Sequence, residues 1–88
     1  MKIKNTFILR NVAGNNVVLP MGASSETFSG MMTLNETGVF LWNNLQKDVT
    51  IDDLVNAMLS EYNVSASQAK EDAEAFVETL RSAGVLEE

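Results

Sequence analysis

The chain of 88 residues has the length of one small domain, and its 45% of hydrophobic residues is enough for one core and too much for a disordered segment. It contains no cysteine and no histidine, which excludes disulfides, thiolate chemistry and the commonest metal ligand and general base. The net charge of −6 divides into +2 over residues 1–47 and −8 over residues 48–88, and so acidic a second half argues against binding to a phosphate backbone.

The N-terminal part has the pattern of a β-hairpin. Residues 7–12 are rich in strand-forming side chains, and a second apolar run over residues 17–20 ends at Pro20, which cannot donate to a strand ladder. Between the two runs, residues 13–16 read Ala-Gly-Asn-Asn, and Gly and Asn both tolerate the positive φ of tight turns. The sequence therefore predicts two antiparallel strands, followed by a polar loop over residues 21–29.

A third strand then passes almost directly into a helix. Residues 30–34 are mostly apolar and predict a strand of about five residues. Asn35 offers a side-chain oxygen to the free N–H groups of a helix start, and Glu36 suits the positive end of the helix dipole. An apolar cluster around Trp42 predicts the buried face of a first helix over residues 36–46. Everything before Asn35 is predicted to be sheet, and everything after it helix.

The second helix is marked by its first turn and by its apolar spacing. Thr50 followed by Asp53 resembles a capping box, with Asp in place of the usual Glu or Gln. Apolar residues then recur with helical spacing: Leu54, Val55, Met58, Leu59 and Tyr62. The pattern predicts a helix over residues 51–62.

The third helix has a start signal and a stop signal. Ser65 and Gln68 have the spacing of a capping box, and Gly84 is the natural left-handed residue after a helix. Its apolar stripe is bordered by acidic side chains, and Val85 and Leu86 are expected to fold back onto it. We expect one α+β domain over residues 1–88, winged-helix-like, with a three-stranded antiparallel sheet followed by three helices (βββααα). Because the third helix is acidic, we do not expect this winged-helix-like domain to bind DNA.

Several segments resemble the PqqD family, named for the pyrroloquinoline quinone synthesis protein D. They are residues 32–38, 41–42, 50–54, 61–64 and 84–86, with Asp72, Phe76 and Leu80. The resemblance covers residues 7–86. It implies a peptide chaperone, or RiPP recognition element, that binds the leader segment of a ribosomally synthesised precursor peptide by strand addition. The family presents that leader to a modifying enzyme, such as a radical S-adenosylmethionine protein.

The resemblance also implies where the peptide binds. The peptide adds beside the third strand, whose edge corresponds here to Ser29, Gly30, Met31, Met32 and Thr33. It lies against the third helix, on an exposed margin that corresponds to Ala69, Asp72, Ala73 and Phe76. From the residues alone, a three-stranded sheet leaves an unpaired edge that a peptide strand can extend. The acidic margin, with Asp72 nearest the apolar stripe, could attract a basic leader.

The residues favour a binding protein over an enzyme. We expect no catalytic residues, no metal and no cofactor, because no base accompanies the hydroxyls and neighbouring carboxylates on a helix do not face each other. An alternative function is a non-catalytic winged-helix interaction module, as an accessory subunit of a regulator or transporter. Neither a secretory signal nor an apolar run of bilayer length is present, so we expect a cytoplasmic protein that binds neither nucleic acid nor membrane.

Overall fold

The computed structural model describes residues 1–21 and 32–88, which form two small sheets and three helices. The elements are β1 (Lys2–Ile3), β2 (Phe7–Val12), β3 (Asn15–Pro20), β4 (Met32–Leu34), α1 (Glu36–Asn44), α2 (Ile51–Glu61), α3 (Ala66–Ala83) and β5 (Leu86–Glu87). Strands β2, β3 and β4 pair in that order into an antiparallel sheet. The predicted α+β class, with three antiparallel strands followed by three helices, is confirmed.

The predicted hairpin is present, and its turn is shorter than the turn signal in the sequence. Strand β2 pairs with β3 from Phe7 opposite Pro20 to Val12 opposite Asn15, which leaves a loop of Ala13 and Gly14. Both loop residues have positive φ, 53° at Ala13 and 84° at Gly14. Two positive φ angles in a two-residue loop are the mark of a type I′ turn, whose twist matches that of the strands. Ala13 therefore carries strain that Gly14 does not.

The passage from β4 to α1 is fixed by one cap and one close contact. The Asn35 side-chain oxygen accepts a hydrogen bond from the Gly38 N–H at 2.8 Å, as the sequence predicts. A Cβ on Gly38 would lie 3.2 Å from Leu34 Cβ and 3.3 Å from the Phe76 ring. The absence of a side chain at Gly38 therefore lets α1 approach both β4 and α3 closely.

The capping box at α2 is complete, and the one predicted for α3 is half-formed. The Asp53 N–H donates to the Thr50 hydroxyl at 3.1 Å, and the Thr50 N–H donates back to the Asp53 carboxylate at 2.9 Å. At α3 the Ser65 hydroxyl accepts from the Gln68 N–H at 3.1 Å. The Gln68 side chain, however, donates to Asp72 at 2.8 Å, so the reciprocal half of the predicted box is wrong. The Gln68 side-chain amide bonds the charged Asp72 carboxylate one turn ahead instead of the Ser65 backbone, because a hydrogen bond to a charged group is stronger.

The core lies between one face of the three-stranded sheet and the three helices. Its largest fully buried side chains are Leu41, Leu45, Leu54, Met58, Leu80, Val18 and Val85. Trp42 is 3% exposed, as the sequence predicts, and the half-buried Phe40 ring meets Tyr62 edge to face at 5.3 Å. Gly84 has φ 76° and ends α3 in the predicted left-handed conformation.

A second, two-stranded sheet was not predicted. Strands β1 and β5 pair antiparallel, so Ile3 lies opposite Leu86. The Ile3 N–H also donates to the Leu45 carbonyl at 2.8 Å, and the Lys4 N–H donates to the Val85 carbonyl at 2.9 Å. Val85 and Leu86 fold back into the core as expected. Strands of two residues have no measurable alternation, which explains why the sequence pattern missed them.

The strained turn gives a stability prediction. We expect Ala13→Asn to raise the free energy of unfolding by about 1 kcal/mol, because Asn adopts positive φ more readily than Ala. The matched variant Ala13→Val should lower it, since a β-branched residue is least tolerated at positive φ. Urea unfolding followed by circular dichroism measures both. Equal midpoints for the two variants would contradict the type I′ turn.

Candidate functional site

A groove lies between β4, the start of α1 and one side of α3. Its volume is about 650 Å³, and it is partly open to solvent. Met32 and Thr33 form one wall, and Asp72, Phe76 and Thr79 form the other. We call this the β4–α3 groove. It is built where the sequence changes from sheet to helix, because β4 and α1 are joined through Asn35 alone.

The hairpin turn determines which backbone groups of β3 face β4. In a hairpin with a two-residue loop, the flanking pair, here Val12 and Asn15, exchanges both main-chain hydrogen bonds. Pairs then alternate along the ladder, so Asn15 and Val17 direct their backbone groups towards β2. Asn16 and Val18 direct theirs the opposite way, towards β4. The Asn11 side chain donates to the Asn16 side chain at 3.3 Å, as expected of a closer, non-hydrogen-bonded pair.

The same alternation identifies the free backbone groups of β4. Leu34 lies opposite Asn16 and Met32 opposite Val18, so both direct their N–H and C=O towards β3. Thr33 lies between them, opposite Val17, and directs its N–H and C=O away from β3. In the described part of the chain no strand pairs with this outer side of β4. Thr33 therefore presents one donor and one acceptor to the β4–α3 groove.

The helical wall of the groove is a stripe on α3 next to the buried one. Asp72, Ala75, Phe76 and Thr79 have the i, i+3, i+4, i+7 spacing of one helix face, and all four line the groove. The Thr79 hydroxyl donates to the Ala75 carbonyl at 3.0 Å, and the Phe76 ring is half-buried against the core.

Two residues expected on this wall are not exposed. Ala69 and Ala73 are both 0% exposed, so their predicted place on an exposed margin is wrong. They belong to the buried stripe with Val77 and Leu80, where their small side chains allow close packing. The residues missed in the prediction are Ala75 and Thr79. Counting i+3 and i+7 from Asp72 would have found both.

On the strand side the described residues have the expected orientation. Met32 is half-buried on the same face as the buried Leu34, and Thr33 is exposed on the other face. Ser29, Gly30 and Met31, also predicted at this edge, lie outside the described residues. Of the predicted site residues, the structure brings Met32, Thr33, Asp72 and Phe76 into one groove.

The groove has an apolar end and a single charge. The Phe76 ring lies near Leu34, Leu41 and Gly38, which together form an apolar surface. Asp72 is the one ionisable side chain among the described lining residues. One of its oxygens accepts an exposed hydrogen bond from the Gln68 amide at 2.8 Å, which holds the carboxylate in place.

The cations of α3 are paired outside the groove. Lys70 lies 3.9 Å from Glu74, and Arg81 bonds Glu78 at 2.6 Å and Glu88 at 2.8 Å. Hydrogen bonding to Arg81 holds the pKa of Glu88 below its usual value, and these carboxylates hold the pKa of Arg81 above its own. The potential in the groove is therefore set by Asp72 and the acidic surface around it.

Neither a metal site nor a membrane segment is found in residues 1–21 and 32–88. No three His, Cys, Asp or Glu side chains there are grouped to hold a metal ion. None of the described helices combines the length and the apolar character that crossing a membrane requires.

Comparison with known proteins identifies the family. The family model for coenzyme PQQ synthesis protein D (PqqD) matches residues 15–86. The chain therefore belongs to the PqqD family, and the resemblance seen in the sequence is confirmed. No curated protein sequence matches the chain.

Two solved structures have the same fold. TbiB1 in complex with the TbiA(beta) leader peptide superposes with a TM-score of 0.78, covering 99% of this chain and 95% of that one. A lasso peptide synthetase B1 complexed with the leader peptide gives a TM-score of 0.73, covering 96% and 93%. Each is 23% identical to this chain.

The alternation on β4 can be measured in the free protein. We expect the Thr33 amide to exchange with solvent quickly and the Leu34 amide slowly, because only the Leu34 N–H is directed at β3. Hydrogen exchange followed by NMR distinguishes them, with the Val17 amide as a protected reference in the central strand. A protected Thr33 amide beside an unprotected Leu34 amide would show that the ladder has the opposite alternation.

Proposed function

We propose that this protein binds the leader segment of a ribosomally synthesised precursor peptide and presents it to a modifying enzyme. The observation that carries the proposal is the β4–α3 groove, where an edge of β4 that pairs with no described strand faces the half-buried Phe76 ring. Membership of the PqqD family supports it. So does the fold shared with two proteins whose structures contain a leader peptide. These observations favour a leader-binding protein over a general winged-helix interaction module.

The groove suits strand addition. A strand added to β4 would lie about 4.8 Å from it and would pair with the outward N–H and C=O of Thr33. Side chains on one face of that strand would then point at Phe76 and its neighbours on α3. Main-chain bonds of this kind give affinity for any extended peptide, and the pockets beside them give specificity.

The proposed binding residues combine the strand and the helix. On the helix they are Asp72, Ala75, Phe76 and Thr79, while the buried Ala69 and Ala73 act by holding α3 in place. On the strand they are Met32 and Thr33, continued by the predicted Ser29, Gly30 and Met31.

We further propose that the role is binding without catalysis, in one domain over residues 1–88. The Thr79 hydroxyl in the groove is already bonded to a backbone carbonyl, and Asp72 is bonded to Gln68, so neither is arranged as a nucleophile with its base. The chemistry would then belong to the partner, such as a radical S-adenosylmethionine protein. We also propose a cytoplasmic setting, because the peptide that the protein is proposed to bind is made by ribosomes.

Truncation of the aromatic wall should weaken leader binding. The ligand is a leader segment taken from candidate precursor peptides, which are to be sought among short reading frames next to this gene, and it is titrated by fluorescence anisotropy. We expect Phe76→Ala to raise Kd about tenfold or more, because truncating a central aromatic anchor commonly costs over about 1.4 kcal/mol. Leu59→Ala, which removes a 40%-exposed apolar side chain on α2 away from the groove, should leave Kd unchanged.

Amide mapping in the same titration tests where the peptide lies. The Thr33 amide should shift and become protected from exchange as the leader binds. If the shifted amides cluster on α2 instead, the groove is not the binding site. Unfolding midpoints of both variants separate a binding defect from a folding defect.

The acidic helices predict that duplex DNA is not a ligand. Residues 48–88 carry a net charge of −8, which repels phosphates and leaves few counterions to release. We expect no binding to a labelled duplex at physiological salt in a gel-shift assay. Tight and sequence-selective binding to the duplex would favour DNA binding over leader-peptide binding as the function.

A further inference from the structure

We infer that the leader recognised by this protein carries a basic side chain two positions from an apolar one, with the basic residue facing Asp72 and the apolar residue facing Phe76. The inference rests on the proposed function and adds a statement about the peptide's chemistry. It comes from the spacing, the burial and the charge of the α3 wall.

The spacing of the wall matches a peptide strand. Asp72 and Phe76 are four residues apart on α3, so their levels differ by about 6 Å along the helix axis. Side chains on one face of a strand recur every second residue, about 6.7 Å apart. The groove follows α3 from Asp72 to Thr79. A strand lying along it would therefore place alternate side chains beside Phe76 and beside Asp72.

The two positions differ in chemistry. At Phe76 the half-buried ring, Leu34 and Leu41 form an apolar surface that favours an apolar side chain. At Asp72 the Gln68 amide already donates to one oxygen at 2.8 Å, and the other oxygen has no partner among the described residues. An ionised carboxylate only accepts hydrogen bonds, so its natural partner is a Lys or Arg side chain.

The surrounding charge adds discrimination against acidic peptides. No Lys or Arg is found among the described lining residues, and the cations of α3 are paired with Glu74, Glu78 and Glu88. A carboxylate in the peptide at the position opposite Asp72 would meet an unneutralised like charge in a partly exposed site, which disfavours binding. The same field would speed the approach of a basic peptide at low salt.

The test starts from a randomised peptide library displayed on mRNA and selected against the intact protein. Selected peptides are sorted by whether they protect the Thr33 amide, which identifies strand addition in the groove. Among those that do, we expect an apolar residue with Lys or Arg two positions away. Selection against Asp72→Lys should replace that basic residue with Asp or Glu. Asp72→Asn, which keeps the shape, replaces Asp72→Lys if the reversed charge impairs folding, and its selected peptides should lose the basic preference.

The contribution of the basic residue to the affinity is then measured with one selected peptide. Replacing its basic residue with Met should raise Kd about fivefold against the natural protein, the size expected of a partly exposed ion pair. The same replacement should have little effect against Asp72→Asn. Raising the salt concentration should shrink the fivefold difference.

Gln68 serves as a positioning residue in this scheme. Gln68→Ala removes the bond that orients Asp72 and keeps the Ser65 cap, which uses the Gln68 backbone N–H. It should therefore reduce the preference for the basic peptide over its Met version. Affinity for the Met version and the unfolding midpoint should stay unchanged.

The outcomes separate this inference from the function on which it rests. Groove-binding peptides with no basic preference, or with a preference that Asp72→Lys leaves unaltered, would overturn the inference and leave leader binding intact. Selected peptides that never protect the Thr33 amide would overturn both.

Discussion

The direct junction of β4 and α1 is the constraint on which the groove depends. One hydrogen bond, from the Gly38 N–H to the Asn35 side chain, starts the helix immediately after the strand. Because Gly38 has no side chain, α1 also lies against Leu34 and the Phe76 ring. Strand β4, the start of α1 and Phe76 on α3 are thereby brought together by one short segment.

The two walls of the groove present different kinds of chemical group. The strand wall offers backbone groups, chiefly those of Thr33, which are the same for any sequence. The helical wall offers side chains, with Asp72 and Phe76 as the distinctive ones. Affinity can therefore be kept while specificity changes, since substitutions on an exposed helix face leave the strand ladder intact.

The sequence predicted the elements well because their signals are local. Caps, turn residues and apolar spacing each act within a few positions, and the switch at Asn35 was placed correctly. The exposure of Ala69 and Ala73 was predicted wrongly, because a small residue fits a buried stripe and an exposed margin equally well. The Gln68 side chain was assigned to the Ser65 backbone N–H, because the pattern of a capping box does not reveal that the Asp72 carboxylate, one turn ahead, competes for it. Such choices are settled by packing and by competing partners, which spacing alone does not reveal.

The turn at Ala13 and Gly14 has an influence beyond its own stability. It fixes which residue pairs along the ladder are hydrogen-bonded and which are not. This alternation decides that the backbone N–H and C=O of Thr33, rather than those of either neighbour, are directed away from β3. If β3 slipped by one residue against β2, the β4 residues whose backbone groups are directed towards β3 and those whose groups are directed away from it would change places. The length of a turn some twenty positions before the groove therefore decides which backbone groups the groove presents.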